Sequence, residues 1–191
     1  MSKIKLEPTA TAQWQSLVVD AENACDCTLS EDMESYLVFL LMRFIGRPEM
    51  ANSILAIDYL KSLLEHGRIR EENLRDVGDR CLLYSGLFPH RANRRRVKIS
   101  YFVDLGRSAY SQLSATQGEV SASFFRELSQ GFVSLMDVLH VIREMGSSLP
   151  SLSPIEATEL WHDTGSQQAL KTAKAYAGDG AFFTSLPNSR H

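Results

Sequence analysis

Two short patterns in this chain carry residue types suited to metal chemistry: Asp137-Val-Leu-His140 and Glu159-Leu-Trp-His162, each an acid three residues ahead of a histidine. On a helix that spacing places a carboxylate and an imidazole on one face. Di-iron carboxylate bundles use two such acid-x-x-His elements, together with a glutamate from each of two further helices. A metal-dependent helical enzyme built on Asp137, His140, Glu159 and His162 is therefore one reading of the sequence. Against it, five histidines among this many acids give about 0.6 matches by chance alone. The helical wheel argues against it too. If Val120 to Met145 is one helix turning about 100° per residue, Phe124, Leu128, Leu135, Leu139 and Ile142 centre one face and Asp137 points the opposite way, toward solvent. The bland alternative is surface polar residues with a partly buried His162.

A second constellation is basic. Arg91, Arg94, Arg95, Arg96 and Lys98 crowd into a few positions of a chain whose net charge is −3. They fall at the start of an expected helix, where free N–H groups and the backbone dipole favour anions and disfavour cations. Arginines beside unpaired N–H groups make an anion site for a phosphate-bearing or acidic partner. The competing reading pairs these arginines with acids such as Glu71, Glu72, Asp76 or Asp79. RNA binding is weaker still, because no nucleic-acid-reading motif accompanies the cluster.

Three cysteines, Cys25, Cys27 and Cys81, are too few for a disulfide framework. Cys25-Asp-Cys27 is a soft-metal or redox pair by type, but no further ligand is near it in sequence, so two free thiols are expected. Cys81 lies on an apolar stripe and reads as a small core residue. No serine sits in a nucleophile elbow, and no glycine loop suited to phosphate follows a strand. No cofactor is expected.

The elements that must position these groups are helices. Apolar residues make up 44% of the 191 residues and charged ones 23%, an ordinary globular balance. Gly46 with Pro48, Gly67, Gly86 with Pro89, Gly146 with Pro150, Gly165 and Gly178 cut the chain into helical lengths, and no strand-like alternation occurs. The spacing predicts helices over Thr11–Ala24, from Thr28 or Ser30 to Ile45, Met50–His66, Arg70–Ser85, Asn93–Ser114, Val120–Met145, Pro154–Thr164 and Ser166–Tyr176. Thr28 with Glu31 is expected to cap the second helix, which is apolar nearly all round and so should lie inside the bundle. In the third, Ile54, Ile57, Leu60 and Leu64 form the stripe expected to face inward. Gly78 and Gly106 sit on the inner stripes of the fourth and fifth, which predicts a close helix crossing.

The expected architecture is an all-α bundle or orthogonal array of six to eight helices in one domain over 1–178, with 179–191 a flexible tail. The segment Ala181-Phe-Phe-Thr-Ser-Leu-Pro187 in that tail is expected to dock on its own domain. No apolar run is long enough to span a bilayer, and the N-terminus lacks a secretory pattern, so a cytoplasmic protein without a membrane partner is expected.

The stretches Glu34-Ser-Tyr-Leu-Val-Phe-Leu-Leu-Met-Arg-Phe44, Val77-Gly-Asp-Arg-Cys-Leu-Leu-Tyr-Ser-Gly-Leu-Phe-Pro89 and Tyr101-Phe-Val-Asp-Leu-Gly-Arg-Ser-Ala-Tyr110 resemble a group of small helical proteobacterial proteins to which no function is assigned. The resemblance implies a bacterial origin and carries no activity, cofactor or partner. The functional expectation therefore comes from the residues themselves. It is a non-catalytic interaction protein, an adaptor or regulatory module that meets a protein or phosphate-bearing partner through Arg91 to Lys98. A homo-oligomer is compatible with the sequence, which does not specify an oligomeric state. The alternatives are the metal-dependent enzyme and, behind it, an RNA-binding protein.

Overall fold

The computed structural model describes residues 9–46, 55–90, 97–116, 118–147 and 150–178. Among them there are nine helices and no strand, so the fold is all-α. In chain order these are α1 (Ala10–Cys25), α2 (Glu31–Gly46), α3 (Leu55–Leu64), α4 (Gly67–Gly86), α5 (Ile99–Thr116), α6 (Glu119–Gln130), α7 (Phe132–Met145), α8 (Pro154–Thr164) and α9 (Gln167–Ala177). The expected starts of the third and fifth helices, Ile54 and the tail 179–191 with its Ala181–Pro187 segment lie outside the described residues.

Local chemistry accounts for most helix ends. Ser153 and Glu156 form a reciprocal capping box with Pro154 in the first turn, so α8 starts where the sequence places it. Gly165 ends α8 with φ +76°, a left-handed position that glycine fills without strain, and its N–H donates to the Trp161 carbonyl at 2.8 Å. The expected cap at Thr28 is corrected: α2 begins at Glu31, and the Ser30 hydroxyl accepts the Met33 N–H at 3.3 Å. Glu31, Asp32 and Glu34 still occupy the first turn of α2, at the positive end of the helix dipole.

The largest departure is the expected helix Val120–Met145, which is two helices broken at Gly131. The Gly131 N–H closes α6 on the Glu127 carbonyl at 2.8 Å, and its own carbonyl accepts the Leu135 N–H at 3.0 Å to open α7. A side chain at Gly131 would collide with the methyl end of Met33 on α2. The absence of a side chain there lets Met33 of α2 pack on the corner.

Beyond that corner, Leu135 through Val141 are all buried, so α7 is enclosed on every side. It packs against α1, α4, α5, α6 and α9. The central place expected for the second helix thus belongs to α7. Helix α2 buries Met33, Leu37, Val38, Leu40 and Leu41, but Phe39 is 61% exposed and Ile45 59%.

The predicted close crossing is present. A Cβ at Gly106 of α5 would stand 2.5 Å from the Phe132 ring and 2.8 Å from the Cys81 Cβ, and one at Gly78 of α4 would enter the Tyr110 ring. Gly86 meets Leu139 of α7 in the same way. Three glycines thus allow α4, α5 and α7 to close on one another at backbone distance. Leu74, Val77, Cys81, Leu82 and Tyr84 of α4 and Phe102, Val103, Ala109, Tyr110 and Leu113 of α5 fill the core, as their stripes predict.

Candidate functional site

Asp137 does not face solvent. It is 4% exposed, which corrects the expectation drawn from the helical wheel. The wheel ran one phase through Val120–Met145, whereas the Gly131 corner resets the phase, and α7 has no solvent side along this stretch. Asp137 instead meets the start of α9: one carboxylate oxygen accepts the Ser166 hydroxyl at 2.5 Å, and the other accepts the N–H groups of Gln167 at 3.0 Å and Gln168 at 3.3 Å. A carboxylate is thereby held at the positive end of a helix. Burial pushes its carboxyl above the usual range, opposed by the Ser166 hydrogen bond and by nearby His140.

His140 is fully buried one turn further along α7, with Nε2 2.7 Å from the Ser85 carbonyl. A carbonyl oxygen only accepts, so Nε2 carries the hydrogen. Burial depresses the His140 pKa, against the pull of Asp137. Nδ1 is buried and has no hydrogen-bond partner.

The second acid–histidine pair has a different setting. His162 is 69% exposed on the outside of α8, beside Asp163, which corrects the partly buried position expected for it. Glu159 is half exposed and pairs with Lys98. One imidazole sits in the core and the other on the surface, and among the described residues no three His, Cys, Asp or Glu side chains gather as metal ligands.

Of the basic cluster, Arg91, Arg94, Arg95 and Arg96 lie outside the described residues. Lys98 is described, and its ammonium reaches Glu159 at 3.5 Å and Asp163 at 3.6 Å. Val97 to Ser100, with Glu156, Glu159, Leu160 and Asp163, line a cleft between the start of α5 and α8. The Ser100 hydroxyl donates to Asp163 at 2.9 Å, so a carboxylate of the chain itself occupies the anion position there. Ser100, then His162 and Lys98, hold the Asp163 carboxyl below its usual range. Three of the four acids named as possible arginine partners meet other arginines: Glu72 meets Arg68, Asp76 meets Arg43 and Arg80, and Asp79 meets Arg43 and Arg75.

Three features escaped the sequence reading. The first is Asp79, 1% exposed within α4. Its Oδ1 accepts the hydroxyls of Tyr36 at 2.5 Å and Tyr110 at 2.7 Å, while Oδ2 meets Arg43, with Arg75 4.0 Å away. Arg75 also lies over the Tyr36 ring, 5.4 Å from its centroid. Burial first, and then the carboxylate, raises both phenols, so they stay protonated donors. This knot ties α2, α4 and α5 together.

The second is the orientation of α3. Ile57, Leu60 and Leu64, expected to face inward, are 46%, 61% and 79% exposed. The inward face is Tyr59, Ser62 and Leu63, with Ser62 fully buried and its hydroxyl donating to the Tyr59 carbonyl at 2.6 Å. Both arcs of the helix are rich in apolar residues, so periodicity shows which residues share a face without showing which face turns in. Ile69, in the first turn of α4, is exposed as well. The third is the close approach of Cys25 and Cys27, whose free thiols the sequence did expect.

Among the described residues no helix is long and apolar enough to cross a membrane. Compared with known proteins, the chain matches no family model, no curated protein and no solved structure.

Proposed function

We propose that this chain is a non-catalytic interaction protein that offers the ridge Ile57–Leu60–Leu64 of α3 to an apolar groove on a protein partner. The carrying observation is the exposure of these three large aliphatic side chains at i, i+3 and i+7 of one helix. That is the anchor spacing with which a helix seats in a hydrophobic groove. A folded chain leaves single apolar residues exposed routinely, whereas a helical row of them marks a contact surface. The segment Arg91 to Lys98 adds a second element to this reading, as a steering patch for an acidic or phosphate-bearing rim. Steering raises association rates more than it deepens affinity.

The metal-dependent alternative has little to draw on. Both oxygens of Asp137 serve the start of α9, His140 is bound to Ser85, Glu159 bridges to Lys98, and His162 is on the surface.

The test is the double substitution Leu60→Glu and Leu64→Glu, compared with Arg94→Gln, Arg95→Gln and Arg96→Gln, by cross-linking in the source cell and titration with the partner so identified. The ridge variant is expected to lose at least about tenfold in affinity at an unchanged denaturation midpoint, since exposed anchors contribute to binding and little to folding. The arginine variant is expected to slow association. Full affinity in the ridge variant would overturn the reading.

A further inference from the structure

We propose that Cys25 and Cys27 form a dithiol site that undergoes thiol–disulfide exchange with low-molecular-weight disulfides and closes to an intramolecular disulfide. The inference stands apart from the ridge and does not depend on it. Cys25 is the last residue of α1, and Asp26 follows it in the left-handed conformation, φ 54° and ψ 36°. That reversal folds Cys27 back over the helix end, where its N–H donates to the Glu22 carbonyl at 3.1 Å. The two Sγ atoms stand 2.8 Å apart as a hydrogen-bonded pair. A disulfide bond is about 2.05 Å long, so closure asks the sulfurs to move by less than an ångström.

The loop is held in this shape from two sides. The Glu22 carboxylate accepts the Leu29 N–H at 2.6 Å. Lys171 of α9 donates to the Asp26 carboxylate at 2.7 Å and approaches the Ala24 carbonyl at 3.4 Å. Access is graded: Cys25 is buried, while Cys27 is partly exposed and open to a reagent from solvent. The charged groups facing the pair are Glu22 of α1, Asp137 of α7 and Lys171 of α9. Within the pair the first ionisation falls on Cys25, which is lowered because the Cys27 S–H donates to it, while that hydrogen bond and burial raise Cys27; the more exposed Cys27 sulfur becomes the thiolate when the shared proton crosses to Cys25. Cys81, fully buried on α4 and raised by that burial, is no competitor.

The Cys27 thiolate attacks one sulfur of an external disulfide, forming a mixed disulfide as the external S–S bond breaks and one thiolate departs. Cys25, giving its proton to solvent or to the departing thiolate, then attacks the Cys27 sulfur and expels the second thiolate. Two protein thiols become one disulfide, and the two electrons and two protons leave on two molecules of small thiol. The site is built for two sulfurs and not for a metal, since no third ligand stands with them among the described residues.

The experiment incubates the full chain with mixtures of reduced and oxidised glutathione, quenches with acid, and reads intact and peptide masses. Wild type is expected to lose two free thiols at Cys25 and Cys27 without retaining an adduct. Cys25→Ser is expected to trap glutathione on Cys27. Cys27→Ser is expected to leave Cys25 modified at least about tenfold more slowly, because burial shields it. Cys81→Ser is expected to behave as wild type, and circular dichroism of each variant checks that the fold is kept. Persistent glutathione adduct on wild type, free Cys25 and Cys27 in mixtures that modify Cys25→Ser, or a disulfide that includes Cys81 would each overturn the proposal.

Discussion

Asp79 shows how much a single side chain can hold in this protein. Its two oxygens divide the work, Oδ1 taking two phenols and Oδ2 taking the arginines. Asp79→Ala would leave the buried Tyr110 hydroxyl without its acceptor and the Arg43 guanidinium facing Asp76 at 4.0 Å. Removing one partner of a buried ion pair costs about 3–5 kcal/mol, and because Arg43 is a third exposed the lower end is expected here. Asp79→Asn keeps Oδ1 for the tyrosines but turns an amide donor toward Arg43, so it is expected to recover only part of the loss. Urea midpoints of the two variants check the order, and equal midpoints for Asn and wild type would contradict the described division.

His140 gives a pH dependence with a definite sign. Its folded-state pKa is lowered from 6.5 by burial, so the neutral ring favours the folded chain. That contribution is fully present above about 6.5 and is lost as pH falls toward the depressed value. Asp137 and Glu22 have raised carboxyl values, so their contributions run the other way and are lost as pH rises through those values. Comparison with His140→Gln, whose amide can still donate to Ser85, separates the two senses. The stability gap between wild type and His140→Gln is expected to narrow from about pH 7.5 to about pH 5, as denaturant titrations at both values would show. A constant gap would mean that His140 does not titrate against folding.

Helices in this chain were legible wherever their signals are local. Gly46, Gly86, Gly146, Gly165 and Gly178 stand at or beside observed helix ends, and the stripes of α4 and α5 are buried as written in their spacing. Gly67, expected to be a helix stop, is the first residue of α4. Gly131 is not legible as a corner because no proline accompanies it and apolar residues at helical spacing, Leu128 before it and Leu135 after it, continue across it. The crossing glycines give the test at this level. Gly106→Ala would gain about 1 kcal/mol in helix propensity, yet its Cβ would stand 2.5 Å from Phe132, and overpacking of that kind costs about 1–3 kcal/mol. A net loss in denaturation midpoint is expected. Gly46→Ala, with nothing within 4 Å of its Cβ, is expected to be neutral or stabilising. If both variants moved the midpoint alike, the close crossing would not be what Gly106 serves.

Taken across the molecule, the sites came out less legible than the fold. The acid-x-x-His pairs could be found by spacing, but spacing could not separate a carboxylate capping a neighbouring helix from one that binds a ligand. Lys98 was legible as a cation, and its acids, Glu159 and Asp163, come from a helix far along the chain. The ridge on α3 has the same origin. Only the packing of Tyr59, Ser62 and Leu63 on the core leaves Ile57, Leu60 and Leu64 outward, and that outward row is why the double glutamate variant should change binding and leave folding alone. The sequence by itself thus determined the all-α class, most helix ends and which residues share a face, because caps, glycines and apolar periodicity act within a turn or two of backbone. The tertiary structure alone decided which apolar face is buried, which acids enter the core and which of two neighbouring thiols a reagent can reach, because burial is set by partners that chain distance does not reveal.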